Sequence, residues 1–202
     1  ALADGPGRTR QVHSMIENDA NQAGLLARDH DGRPRCASAQ WNDDFHHAAH
    51  VLLTGETQGY YVDFDAGDGP DAARHLARAL AEGFVYQGEA STHRGGVPRG
   101  EPSGHLPPTA FVAFLQNHDQ IGNRALGDRL SAPPHALEAM YVCLLLSPHI
   151  PMLFMGEEFA ASTPFPYFCD FRAELAAAVS AGRRAEFAQA PGFGDEAACE
   201  RI

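Results

Sequence analysis

The chain has 202 residues, 44% of them hydrophobic, which is enough material for one sizeable folded core. Its 15 basic residues against 26 acidic ones give a formal net charge of -11, and this balance argues against binding the phosphates of nucleic acid. No stretch has the length and hydrophobicity of a signal or a membrane span, so we expect a cytoplasmic protein without membrane contact. The four cysteines lack metal-ligand spacing and are expected to be buried free thiols.

Short apolar runs and helical patterns alternate along the sequence. The patterns predict strands and helices in the order strand 12–16, strand 39–41, helix 45–53, helix 71–82, strand 111–116, helix 135–146 and strand 150–155. A loop rich in Gly and Pro is predicted at residues 88–108, and an irregular tail at residues 181–202. The alternation predicts an α/β fold with a parallel sheet and right-handed crossovers.

Polar residues follow three of the predicted strands at their carboxyl ends. Glu17 follows the first strand, Asn117-His118-Asp119 follows the wholly apolar strand that begins at Phe111, and Glu157 follows the last one. In a (β/α)8 barrel the carboxyl ends of the strands carry the active site, and a full barrel takes about 250 residues. With about four strands, the sequence predicts a partial (β/α)8 TIM barrel.

The polar cluster at residues 116–124, Gln-Asn-His-Asp-Gln-Ile-Gly-Asn-Arg, resembles a segment of the alpha-amylase family of glycoside hydrolases. Further segments resemble the malto-oligosyltrehalose trehalohydrolase subgroup of that family, in matching order: residues 17–22, 40–47, 154–158 and 163–165. The resemblance covers roughly residues 8 to 175. It implies that residues 1–180 are the C-terminal half of the catalytic barrel, strands five to eight with their helices.

The resemblance also implies a reaction: hydrolysis of the α-1,4 glucosidic bond next to the trehalose end of maltooligosyl trehalose, which releases trehalose with retention of configuration. Glycoside hydrolysis needs a carboxylic acid to protonate the leaving oxygen and further carboxylates to stabilise the transition state. By resemblance Glu17 is the general acid/base and Asp119 is the family's third carboxylate. The implied partner is maltooligosyl trehalose or a related α-glucan, and no cofactor or metal is implied.

Sugar-binding side chains are expected in the same segments. Trp41 is expected to stack on a pyranose ring, and the other side chains of these segments to line the sugar site, where the polar ones bind hydroxyl groups: Asp43, Asp44, Phe45, His46, His47, Asn117, His118, Gln120, Asn123 and Arg124. Two other interpretations stay open for the first of these segments. Asp43 or Asp44 would also suit the start of the following helix, and His46 and His50, four residues apart, would share a helix face in a metal site.

The sequence departs from the family at the nucleophile. The family's attacking aspartate lies in an Arg-x-Asp-x-x-x-His-like motif at the end of the fourth strand, and the residues before Val12 contain no such motif. Asp4 lies in a Gly- and Pro-flanked turn at the amino end of the first strand, so it is not expected to replace it. We therefore expect the chain alone to be inactive and to need the N-terminal half of the barrel as its partner. The alternatives are a non-catalytic sugar-binding remnant, a truncated product, or another activity of the family such as glucan branching.

Overall fold

The computed structural model describes residues 5–65 and 71–187, so Asp4 lies outside the described residues. Four short parallel strands form one sheet in the order in which they occur along the chain: β1 (Met15–Ile16), β2 (Ala39–Trp41), β3 (Phe111–Ala113) and β4 (Ile150–Pro151). Sequential parallel strands joined through helices are the pattern of a barrel segment. The predicted α/β fold, a partial (β/α)8 barrel, is confirmed.

In the described part of the chain, five α-helices accompany the strands: α1 (Asp43–Thr54), α2 (Asp71–Glu82), α3 (His118–Gly122), α4 (Pro134–Leu146) and α5 (Ala173–Phe187). Helix α2 has the predicted bounds. Helix α1 begins two residues before the predicted start because the side chain of Asn42 accepts a hydrogen bond from the backbone N–H of Phe45. Strand β2 has the predicted bounds, whereas the other three strands are shorter than predicted. The apolar runs begin before the first paired residue of β1 and continue past the last paired residue of β3 and β4.

Two helices were not predicted. Helix α3 starts inside the polar cluster, and helix α5 continues to Phe187, through the first residues of the stretch that was expected to be irregular. Residues 188–202, the rest of that predicted tail, lie outside the described residues. The alanine-rich sequence of α5 has a high intrinsic helix propensity, which an apolar periodicity does not reveal.

The sheet packs on a small aromatic core. All three residues of β3 are buried, and Phe111 packs edge-to-face on Phe84 with ring centroids 5.2 Å apart. Gly83, which ends α2 at a φ of 89°, is required there because a Cβ at that position would collide with the Phe111 ring. The cysteine prediction is half right, because the described cysteines are free thiols but are exposed: Cys36, Cys143 and Cys169.

The described chain divides into two compact units. The first comprises the described residues up to Leu115 together with Ala132–Met152, and it contains the whole sheet; the second comprises Gln116–Ser131 and the described residues from Leu153 onward. Within residues 5–65 and 71–187, no helix is long and apolar enough to cross a bilayer.

Candidate active site

In the first unit, acidic residues follow the carboxyl ends of two neighbouring strands. Glu17 is exposed directly after β1, and Asp43 is half-buried at the start of α1, directly after β2 and Asn42. Burial raises the pKa of Asp43 to about 7, and the negative charges of Asp44, Glu17 and Asp19 add to that rise. Arg99 opposes it. Glu17 and Asp43 are therefore electrostatically coupled, and Asp43 is partly protonated near neutral pH, so that it can donate a hydrogen bond.

The adjacent Asp44 has a different environment, because none of its surface is exposed. Its Oδ1 lies 2.7 Å from Nη1 of Arg99, itself only 6% exposed. Its Oδ2 accepts hydrogen bonds from Nδ2 of Asn21 at 2.8 Å and from the backbone N–H groups of Val85 and Tyr86 at 2.8 and 2.9 Å. Asp44 thus ties the start of α1 to the loop after β1 and to the segment after α2, and a sugar would have to displace these partners to reach it.

Arginine side chains hold the loop that carries Glu17. Arg99 donates from Nε to the backbone carbonyl of Asp19 at 2.7 Å, and Arg94 pairs with the Asp19 carboxylate at 2.6 Å. The buried Arg99 therefore contacts both the Asp19 backbone and Asp44. This arrangement fixes the backbone two residues beyond Glu17.

The histidines of α1 face inward. His46 has no exposed surface; its Nδ1 lies 2.6 Å from the carbonyl oxygen of Leu115 and its Nε2 lies 3.0 Å from the Tyr61 hydroxyl. His50 pairs with Glu56 at 2.8 Å, and burial lowers the pKa of His47 well below its ordinary value. Because both ring nitrogens of His46 already have partners within the chain, the structure gives no support to the metal interpretation of His46 and His50.

Two other predicted side chains from the same segment differ in accessibility. Phe45 has no exposed surface and belongs to the core. Trp41 is half-buried and meets the Phe114 ring edge-on at a centroid distance of 6.1 Å. Among the described residues, the one group with metal-ligand spacing lies elsewhere, in the exposed turn Asp29, His30 and Asp31. There Asp29 already accepts two backbone hydrogen bonds that form the turn.

In the second unit, the polar cluster starts helix α3. The side chain of Asn117 accepts a hydrogen bond from the backbone N–H of Asp119 at 2.8 Å, and the side chain of Gln120 accepts one from the backbone N–H of Asn117 at 2.8 Å. This reciprocal capping satisfies backbone donors that a helix start leaves open. Asn117 and Gln120 are therefore occupied locally, whereas the side chains of His118 and Asp119 are 45% and 35% exposed.

The end of α3 carries the remaining predicted residues. Asn123 is exposed at the C-cap, and the backbone N–H of Arg124, which is half-buried, bonds the carbonyl of Ile121 at 3.1 Å. Both shape the turn that follows Asp119. The side chains of His118 and Asp119 also lie next to one another, with Nε2 and Oδ1 3.4 Å apart.

Two residues outside the predicted site set contact the polar cluster in the second unit. The hydroxyl of Tyr167 donates a hydrogen bond to Oδ1 of Asp119 at 2.7 Å. Tyr167 belongs to the aromatic run Phe165, Tyr167 and Phe168, which is as typical of a core as of a sugar subsite. Glu157 is buried and accepts a hydrogen bond from Nε2 of Gln116 at 3.1 Å, while its neighbour Glu158 is exposed. The two acids lie in a short 3-10 helix, Glu157–Phe159, and the sequence does not say which of them is buried.

The comparisons with known proteins agree with one another. The chain is 43% identical over 180 residues to a malto-oligosyltrehalose trehalohydrolase of Deinococcus radiodurans, and 44% identical over 185 residues to one from Rhizobium sp.. These matches cover 85% and 88% of this chain. The chain belongs to the malto-oligosyltrehalose trehalohydrolase family. No family model matches it.

A solved structure shares the fold of this chain. A crystal structure of a candidate alpha amylase from Salmonella typhimurium is 50% identical, superposes with a TM-score of 0.83, and is matched by 95% of this chain. The chain covers 33% of that structure and 29% of each of the two trehalohydrolases above. It therefore spans less than a third of the length of its curated relatives.

Proposed function

We propose that the chain supplies the general acid/base, Glu17, and the third carboxylate, Asp119, for hydrolysis of the α-1,4 bond next to the trehalose end of maltooligosyl trehalose. The observation that carries the proposal is a difference in exposure: Glu17 and Asp119 present their carboxylates to solvent, whereas Asp44 and Glu157 are buried with partners. A carboxylate that acts on a ligand has to be accessible to it. The trehalohydrolase names of the relatives support the substrate.

Each accessible side chain has a role in this proposal. Glu17 protonates the leaving glycosidic oxygen and then deprotonates the attacking water. Asp119 and His118 bind sugar hydroxyls, and the Asp119 charge stabilises the oxocarbenium-like transition state. Asp43, partly protonated near neutral pH, donates to a further hydroxyl, and Trp41 offers a ring face to a pyranose.

Other members of the predicted set have positioning roles. Asp44, Phe45, His46 and His47 hold the start of α1, and Asn117 and Gln120 hold the start of α3. The nucleophile of a retaining hydrolase is not among these residues, because its motif does not occur in the 202 residues. We therefore propose that turnover requires the N-terminal half of a barrel in addition to this chain.

The test is a product analysis with maltooligosyl trehalose. The natural full-length protein is expected to release trehalose, and Glu17→Gln should lower its turnover by about 10²-fold or more because general acid–base catalysis contributes that much. Glu158→Gln is the matched control, since Glu158 is an exposed acid outside the site. Full activity in Glu17→Gln, or no release of trehalose by the unaltered protein, would contradict the proposal.

The second candidate is a sugar-binding remnant without hydrolysis, favoured by the absence of the nucleophile motif from the sequence. To separate the candidates, the same assay is applied to the 202-residue chain alone, and calorimetry measures whether the chain binds the same sugar. Binding without hydrolysis by both the chain and the natural protein would support the remnant. A transferred branch in place of trehalose would instead indicate glucan branching.

A further inference from the structure

The hydroxyl group of Tyr167 makes a short contact with the Asp119 carboxylate. It donates to Oδ1 at 2.7 Å, and Nε2 of His118 lies 3.4 Å from the same oxygen. We infer that Tyr167 is a positioning residue for Asp119, and that Gly122 and Arg183 hold Tyr167 in place. This inference rests on the proposed role of Asp119 and adds residues that neither the sequence motifs nor that proposal includes.

Gly122 leaves the space that the Tyr167 ring occupies. Gly122 is the last residue of α3, the short helix that also carries Asp119, and it is buried. A Cβ on Gly122 would lie 2.5 Å from the Tyr167 ring, closer than carbon atoms approach in proteins. Since its φ is not in the left-handed region, glycine is required here for space, not for backbone conformation. The ring therefore lies directly against the backbone of the helix that presents Asp119.

Arg183 also contacts the Tyr167 ring. Its guanidinium carbon lies 5.6 Å from the centroid of the Tyr167 ring, within the range of a cation–π contact. The same guanidinium donates from Nη2 to the carbonyl oxygen of Gly122 at 2.7 Å. One planar cation thus joins the ring to the end of α3, and helix α5, which carries Arg183, braces both.

The physical effect falls on the orientation of the carboxylate. A hydrogen bond from a hydroxyl to an ionised carboxylate is among the stronger ones, and it fixes the position of the oxygen that accepts it. Because both contacts reach Oδ1, rotation of the carboxyl group is restricted and Oδ2 is presented in one direction. A carboxylate oriented before the substrate arrives stabilises developing positive charge without having to reorganise.

Competition between the Tyr167 hydroxyl and the substrate would give a different kinetic result from a positioning role. If the Tyr167 hydroxyl stood in the place of a sugar hydroxyl, it would compete with the substrate, and removing it would tighten binding. A positioning role predicts a loss of turnover with little change in KM, because the fixed carboxylate matters most in the transition state.

The test uses the natural full-length protein with maltooligosyl trehalose. Tyr167→Phe removes only the hydroxyl, and we expect kcat to fall about tenfold with KM changed by less than about threefold, as for the loss of one hydrogen bond to a charged group. In an Asp119→Asn background Tyr167→Phe should have no further effect on residual turnover, since the partner charge is gone. Gly122→Ala should reproduce the loss by displacing the ring. Tyr141→Phe, on α4, is the matched control.

A second readout does not depend on activity. With carbon-13 in the Asp carboxyl groups, the Asp119 resonance, assigned by its loss in Asp119→Asn, should move in Tyr167→Phe and stay in Tyr141→Phe. A moved resonance in a protein that releases no trehalose would overturn the proposed function while the contact stands. The positioning role would be overturned by any of three results in an active protein. Tyr167→Phe could leave kcat unchanged, it could lower KM markedly, or its effect could be the same with and without Asp119.

Discussion

The starts of helices α1 and α3 have the same local design but opposite exposure. Each follows a strand of the sheet in sequence, each is capped by an asparagine side chain, Asn42 or Asn117, and each has an aspartate as its second residue, Asp44 or Asp119. Asp44 is fully buried and paired with Arg99, whereas the side chain of Asp119 is 35% exposed and meets a tyrosine hydroxyl. The same pattern therefore yields a structural anchor in one unit and an accessible carboxylate in the other.

The difference arises from what packs over each helix start. The backbone N–H groups of Val85 and Tyr86 and the guanidinium of Arg99 close around Asp44 and replace its water. These groups lie about 40 or more residues away in sequence, so no local pattern can reveal them. A motif of asparagine and aspartate at a helix start predicts the cap well and the chemistry poorly.

The largest difference between the two helix starts is expected when each aspartate is neutralised in turn. Asp44→Asn should lower the free energy of unfolding by about 3–5 kcal/mol, because it leaves the buried Arg99 charge without its partner. Asp119→Asn should change it by less than about 1 kcal/mol, as expected of a partly exposed carboxylate. Urea denaturation of both variants measures the two effects side by side. Equal losses would show that exposure does not separate the two residues.

A smaller effect on stability is expected at Asp43, which precedes Asp44 in α1. Its pKa is raised from 3.8 to about 7, so the folded state holds the proton more tightly than the unfolded state does. The stability that this proton contributes is fully present below about pH 4 and is lost as the pH rises through about 7.

In Asp43→Asn the side chain at position 43 cannot ionise, so this variant does not lose stability as the pH rises through about 7. The variant should be more stable than the unaltered chain by roughly 1–2 kcal/mol at pH 8, a figure reduced for the partial exposure of Asp43, and equally stable at pH 4. Thermal melts at the two pH values check this. A gain of the same size at both would mean that the effect is not the ionisation of Asp43.

The fold was more predictable than the site. The sequential parallel sheet and helix α2 follow from alternation and amphipathic periodicity, which are local properties. Helix α3 was missed because its start is set by side-chain capping within a polar cluster. Among the site residues, the sequence places Glu17 and Asp119 at strand ends, but it does not separate Asp43 from Asp44, or Glu157 from Glu158. Tyr167 reaches Asp119 across 48 residues, a long-range contact that no spacing rule supplies.

The most direct test of the account is the turnover of Asp119→Asn in the natural full-length protein, measured on maltooligosyl trehalose together with its thermal melt. We expect a folded protein whose melting temperature is close to that of the unaltered protein and whose trehalose release is lowered by about 10²-fold or more, as for loss of a charge that stabilises a transition state. A folded variant with unchanged turnover would contradict the assignment of Asp119, and a variant that fails to fold would contradict the distinction between Asp119 and Asp44.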